Sequence, residues 1–300
     1  MPSPEVIVAG YTAVKVMGTG GSAVVYLARD PDGATVALKI LDDRHRQPAQ
    51  LARLQREFDF ARRLAHPHIV RVFAAGPGWL AMEFLDGGTV NILTGIPERL
   101  VALTQIAGAL DLAHRRGIVH CDVKPANILV DEPFSRAVLI DFGVAHSMAE
   151  DVAARLAHDR SARMSLDPAR RITRQPSQPH PNIQASLPYS APELLVGRTP
   201  SAATDQYALA CTTVELLTGT PPFTADTAVA LIDQQLYSRP PRISQRCSWI
   251  PRAADSIIAK AMAKEPDRRH ASCAEFVGLI TKVMEPAGDP QNEEDRENLR

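Results

Sequence analysis

The hydrophobic period of this chain changes less than a third of the way along, and that change rules out a uniformly helical or uniformly stranded fold. From Tyr11 to Ile40 the residues Val14, Val16, Val24, Val25, Leu27, Val36 and Leu38 are apolar and mostly β-branched, with turns at Gly18-Thr-Gly-Gly21 and Asp32-Gly33. Three antiparallel strands are predicted there. Leu51, Leu54, Phe58, Ala61 and Leu64 then recur at three- and four-residue intervals, as an amphipathic helix that stops near His66-Pro67. Two more strands follow, Ile69 to Phe73 and Trp79 to Phe84, joined at Gly76-Pro77-Gly78.

Beyond Gly88 the period is helical. Leu103, Ile106, Leu110 and Ala113 share one helix face, and Gly117 can end that helix as a C-terminal cap. Further helices are expected at about 203–218, 225–236, 253–263 and 272–284, the last opening with Ser272 and Glu275 in capping-box spacing. The implied architecture is α+β in two lobes, with the boundary near Leu85-Asp-Gly-Gly88.

Three hundred residues, 45% apolar and 22% charged, suffice for a sizeable core, which excludes a disordered or fibrous chain. A net charge of −1 gives the chain as a whole no electrostatic footprint for nucleic acid or an anionic membrane. No run of about 18 apolar residues and no basic leader occurs, so neither a membrane span nor export is expected. The four cysteines, Cys121, Cys211, Cys247 and Cys273, form no Cys-x-x-Cys pair, and a reducing cytoplasm suits them. Residues 149–184 are rich in Arg, Ser, Pro and His without sustained period, and 285–300 form an acidic tail.

Gly18-x-Gly20-x-x-Ala23-x-Val25 links two of the strands, where glycines let backbone N–H groups approach phosphates; taken alone it reads first as a glycine-rich hairpin turn. Lys39, bracketed by Val36-Ala-Leu and Ile40, needs a partner for a half-buried ammonium. Glu57, 18 residues later on the amphipathic helix, can supply it, unless the two are ordinary surface charges. His120-Cys-Asp122-Val-Lys124-Pro-Ala-Asn127 and Asp141-Phe-Gly143 add two carboxylates, a carboxamide and a lysine between apolar β-like runs. Phosphoryl transfer needs this set: a carboxylate for the acceptor hydroxyl, oxygen ligands for Mg²⁺ and a compact cation on the transferred phosphate. The chain has 27 arginines and 6 lysines, yet two of those lysines fall here, which points to phosphate contacts by point charges.

With these motifs in this order, about residues 11–284 resemble the eukaryotic-like protein serine/threonine kinase family. The resemblance implies the bilobal kinase fold. Its N-lobe (11–85) would hold a small five-stranded antiparallel sheet plus a helix, and its mainly helical C-lobe (86–284) would carry an activation-segment insertion at about 149–184. It implies a phosphate-covering loop built from Met17, Gly18, Thr19, Gly20, Gly21, Ser22, Ala23 and Val25, with Lys39 on the phosphates and Glu57 as its ion-pair partner. Asp122 would be the catalytic aspartate, Lys124 the γ-phosphate lysine, and Asn127 and Asp141 the Mg²⁺ ligands. Met82, Glu83, Phe84 and Leu85 would form the gatekeeper and hinge for adenine, with Ala37 and Leu129 against the ring faces. Ser186 to Glu193 is similar to the peptide-positioning loop and the end of the activation segment, Asp205 to the buried aspartate behind the catalytic loop, and Arg269 to the partner of Glu193.

ATP, Mg²⁺ and protein substrates bearing Ser or Thr are therefore expected. Two readings compete: a small-molecule phosphotransferase with a similar Asp…Asn…Asp core, and a pseudokinase acting as a binding module. The Ala191-Pro-Glu193, Asp205 and Arg269 set opposes the first, and the complete residue inventory opposes the second. Departures from the family pattern are Ala23 for the third glycine, Cys121 for the arginine before the catalytic aspartate, Ser186 where threonine is commoner, and the long segment from Asp141 to Glu193.

Overall fold

The computed structural model describes residues 7–20, 22–147 and 186–285. The insertion at 149–184, the tail beyond Glu285 and Gly21 lie outside them. The first lobe is an antiparallel sheet of β1 (Ile7–Val8), β2 (Tyr11–Thr19), β3 (Ala23–Arg29), β4 (Thr35–Leu41), β5 (Val72–Gly76) and β6 (Trp79–Met82), in the order β1-β2-β3-β4-β6-β5. It has six strands where five are expected from the sequence. The addition is β1, whose two residues pair with Tyr11 and Thr12 and are too short to show an alternating pattern. The fifth strand also begins later than Ile69, because Ile69 bridges Leu139 of the other lobe and Val70 donates to the Leu139 carbonyl.

Helix α1 (Pro48–Arg63) starts with Pro48 at its first position, where the missing N–H costs nothing, and buries Leu54, Glu57, Phe60 and Ala61. It ends at Leu64, before His66-Pro67, as the sequence requires.

The second lobe holds three short strands in one small sheet, β7 (Gly88–Thr89), β9 (Ile128–Val130) and β10 (Ala137–Leu139), while β8 (Ile118–Val119) pairs with β11 (His146–Ser147). Its helices are α2 (Ile96–Arg115), α3 (Pro192–Leu195), α4 (Ala202–Thr218), α5 (Ala228–Tyr237), α6 (Ile243–Arg246), α7 (Arg252–Ala261) and α8 (Cys273–Met284). Gly117 has φ +71°, a conformation only glycine adopts without strain, and turns the chain from α2 into β8. Ser272 caps α8 by accepting from the Glu275 N–H, and the Glu275 carboxylate accepts in return from Ala271. Helix α4 is buried on nearly all sides, so it forms the centre on which α2, α7 and α8 pack.

Inside that core, Arg269 makes a two-pronged ion pair with Glu193, at 2.7 and 2.8 Å, and both residues are buried. Thr204 and the Ala203 and Ala263 carbonyls complete their hydrogen bonding. Burial would raise the Glu193 pKa, but Arg269 outweighs it and holds the carboxyl below its ordinary 4.5. The stabilisation is therefore fully present above that value and is lost as pH falls through the depressed one. Glu193→Gln should cost about 3–5 kcal/mol at neutral pH by leaving a buried guanidinium unbalanced. Urea melts should show that cost shrinking as acid protonates the wild-type carboxylate; a cost below about 0.5 kcal/mol at pH 7 would mean the charge pair contributes nothing.

Candidate active site

The β3–β4 register places Val25 beside Lys39, and β4–β6 places Ala37 beside Met82, so the sheet presents lysine, valine and the start of the inter-lobe connection together. Between the lobes is a cleft of about 810 Å³. Its roof is formed by Gly18, Thr19, Gly20, Ser22, Ala23 and Val25, where Gly20 donates to the Ala23 carbonyl at 2.8 Å and closes the tight turn.

On the inner wall Lys39 Nζ lies 2.8 and 3.0 Å from the Glu57 carboxylate and 3.6 Å from Asp141. Burial alone would lower the Lys39 pKa, yet Asp141 and Glu57 together raise it, so the ammonium stays charged. Asp141 follows the reverse logic: burial would raise its pKa, but Lys39, Arg53 and His120 bring it down to about 2. It occupies the left-handed region (φ +65°) and accepts from the Gly143 N–H. Gly143 must lack a side chain, since a Cβ there would sit 2.9 Å from Arg53 Nε and 3.1 Å from Asp141 Oδ1.

On the floor, Asp122 accepts from Lys124 at 2.8 and 3.1 Å, from Ser186 Oγ at 2.6 Å and from Asn127 Nδ2 at 3.0 Å. Lys124 also donates to Ser186 Oγ at 2.8 Å. Asn127 further donates to the Asp122 carbonyl, which orients its amide so that the oxygen is the group left for other work. This floor is shaped from behind by Asp205, fully buried on α4, which accepts the N–H groups of His120 and Cys121 at 2.8 and 2.7 Å. Cys121 sits at φ +67°, a strained conformation for a non-glycine residue, and those bonds hold it there.

A model of the protein kinase domain matches residues 11–277. The chain belongs to the protein kinase family. Serine/threonine-protein kinase PknF of Mycobacterium tuberculosis is 37% identical over 95% of this chain, and PknJ of the same organism 36% identical over 93%. This chain spans 58% of the first and 46% of the second, about half the length of each. The crystal structure of the M. tuberculosis PknI kinase domain matches with 30% identity and a TM-score of 0.68, covering 94% of this chain and 99% of that one. The family resemblance read from the sequence thus stands, and the curated relatives the chain matches are bacterial serine/threonine-protein kinases.

The kinase cleft brings together Lys39, Glu57, Asp122, Lys124, Asn127 and Asp141. Met17, Ala37, Glu83, Leu85 and Leu129 are not among its lining residues; Ala37 and Leu85 are buried, and Met17 is exposed on β2. The Glu83 side chain is engaged elsewhere, accepting from Arg71 N–H and from Arg136. Cleft-lining residues that sequence reasoning missed include Arg53, Thr89, Ala126 and Ile140. Also missed was His114, which bonds the buried carboxylate of Asp205 at 2.7 Å. Burial pushes the Cys121 thiol well up, with Asp205 and Asp122 adding to the shift, so the residue before Asp122 is neutral.

Glu57→Gln keeps the shape of the acid and removes the charge that balances Lys39. It should lower kcat/KM for ATP about tenfold, by loss of a charge-assisted hydrogen bond, with Lys39→Met costing more because it also strands Glu57. A kinetically silent Glu57→Gln would show that another acid partners the lysine.

Proposed function

We propose that this cleft transfers the γ-phosphate of ATP, with Mg²⁺, to serine and threonine hydroxyls of proteins, including its own. The observation that carries the reading is the pair of opposed clusters, Lys39–Glu57–Asp141 on one side and Asp122–Lys124–Asn127–Ser186 on the other. The kinase domain takes in 11–284, with lobes at 11–85 and 86–284, and the ATP and reduced thiols of a cytoplasm fit it.

The donor set suits Mg²⁺: an ionised carboxylate at Asp141 and a carboxamide oxygen at Asn127 are hard oxygen ligands, and Asn127 is oriented with its nitrogen turned to Asp122. When bound, the metal neutralises phosphate charge. Lys39 holds the phosphates and is itself held by Glu57. The Gly18–Val25 loop covers the phosphates, and adenine sits past Met82, the cleft-lining neighbour of Ala37, against Ala37, Leu129 and the backbone of Glu83 and Leu85. Asp122 accepts the hydroxyl hydrogen of the incoming Ser or Thr and aims its oxygen at phosphorus. The Ser186 hydroxyl, which already donates to Asp122, marks where such a donor sits. Lys124, 2.8 Å from Asp122, places a cation where charge accumulates on the transferred group. Ser186 to Ser190 receives the peptide.

Incubation of the chain with Mg²⁺ and γ-labelled ATP should label casein or myelin basic protein on Ser and Thr, and leave aminoglycosides unlabelled. Label on the aminoglycoside alone, or on neither, would overturn the reading.

A further inference from the structure

Helix α5 reaches the Ser186–Ser190 loop through one buried side chain. Gln235 is fully buried, and its amide nitrogen donates to the backbone carbonyls of Leu187 at 3.0 Å and Pro188 at 2.7 Å. Its amide oxygen accepts from the Tyr207 hydroxyl at 2.6 Å, which fixes which way the amide faces. Behind it the Lys264 ammonium donates to the Gln235 carbonyl at 2.6 Å and lies 4.9 Å from the Phe223 ring centre. The amide is thus fully employed, and the main chain of the loop hangs from it. The other ties on the loop use its side chains: Ser186 to Asp122 and Lys124, and Tyr189 to Glu215 on α4.

We infer that Gln235 is a positioning residue for the protein substrate: it sets the height of the Leu187-Pro188 turn above α4, and so where the acceptor hydroxyl stands relative to Asp122. The inference rests on reading Ser186–Ser190 as the peptide-receiving loop. Its physical basis is that the Leu187 carbonyl keeps the Ser190 N–H at 3.1 Å, whereas the Pro188 carbonyl loses the donor that Gln235 supplies and must move towards water or another donor; a displaced turn misplaces the peptide without touching the ATP cluster.

Gln235→Glu keeps the length and the acceptor for Tyr207 but removes both donors, and Gln235→Met removes all polarity. Steady-state kinetics of the full chain with Mg²⁺, ATP and myelin basic protein should show KM for the acceptor raised about tenfold in both variants, with KM for ATP within about twofold of wild type. If Gln235 only stabilised the fold, kcat would fall with the folded fraction and both KM values would hold, and that result overturns the inference. Should neither variant melt cooperatively, Tyr207→Phe, which removes the hydroxyl that orients the amide, should raise the acceptor KM about threefold; no rise would overturn it equally. Leu187→Gly separates the two levels. If it raises the acceptor KM and the Gln235 variants do not, the loop reading stands and Gln235 falls; if neither moves it, the loop reading fails and the inference with it.

Discussion

In an Asp122→Asn variant kcat should fall roughly 10²–10⁴-fold while ATP affinity stays near the wild-type value. Both carboxylate oxygens act only as acceptors, one towards Lys124 and Asn127 and the other towards Lys124 and Ser186. An amide replaces one of them with a donor that faces other donors, and it can no longer take the acceptor hydrogen bond that aims the hydroxyl. The residues around ATP are not altered. Turnover on casein together with calorimetric ATP titration would separate the two effects, and an unchanged kcat would remove Asp122 from its role.

Asp141→Ala should be more severe, abolishing phosphotransfer at ordinary Mg²⁺. The substitution removes a carboxylate that Lys39 and Arg53 both face, at 3.6 and 3.8 Å, and whose pKa they keep near 2. It also places alanine in a left-handed conformation. Phosphate charge then goes unneutralised. Labelled-ATP assays and Mg²⁺-dependent nucleotide titration should both read at background, and turnover within tenfold of wild type would contradict the assignment.

Much of this arrangement could be read from the chain before its coordinates. The Lys39–Glu57 pair was legible because strand alternation put the lysine on a half-buried face and helical spacing put the glutamate one residue from Phe58. Asp122, Lys124 and Asn127 of the floor were legible because they are crowded between residues 120 and 127, whereas Ser186 was reached only through the family resemblance. Arg53 was not: it reads as one of many arginines, and its partner Asp141 is brought near only by the packing of α1 on the Phe142–Val144 turn. Gln235 left no signal either, since the loop groups it holds lie 47 and 48 residues away and are backbone carbonyls, which every residue has. Helices α3 and α6, four residues each, are shorter than the window any periodicity needs.

The left-handed bend at Cys121 has a consequence for control. Its shape is imposed mainly from α4, by a carboxylate that grips two backbone N–H groups, and the side chain at 121 adds only a long thiol contact to the Val119 carbonyl at 3.7 Å. Whatever stands there can change without redrawing the path of the chain into Asp122. An arginine at that point would offer a charge for a phosphate on the neighbouring segment to neutralise; a neutral thiol offers none. Geometry and charge are therefore carried by separate atoms, the first chiefly by main chain and Asp205, the second by a replaceable side chain. Such a bend can exchange its side chain in a single codon and keep its working floor intact.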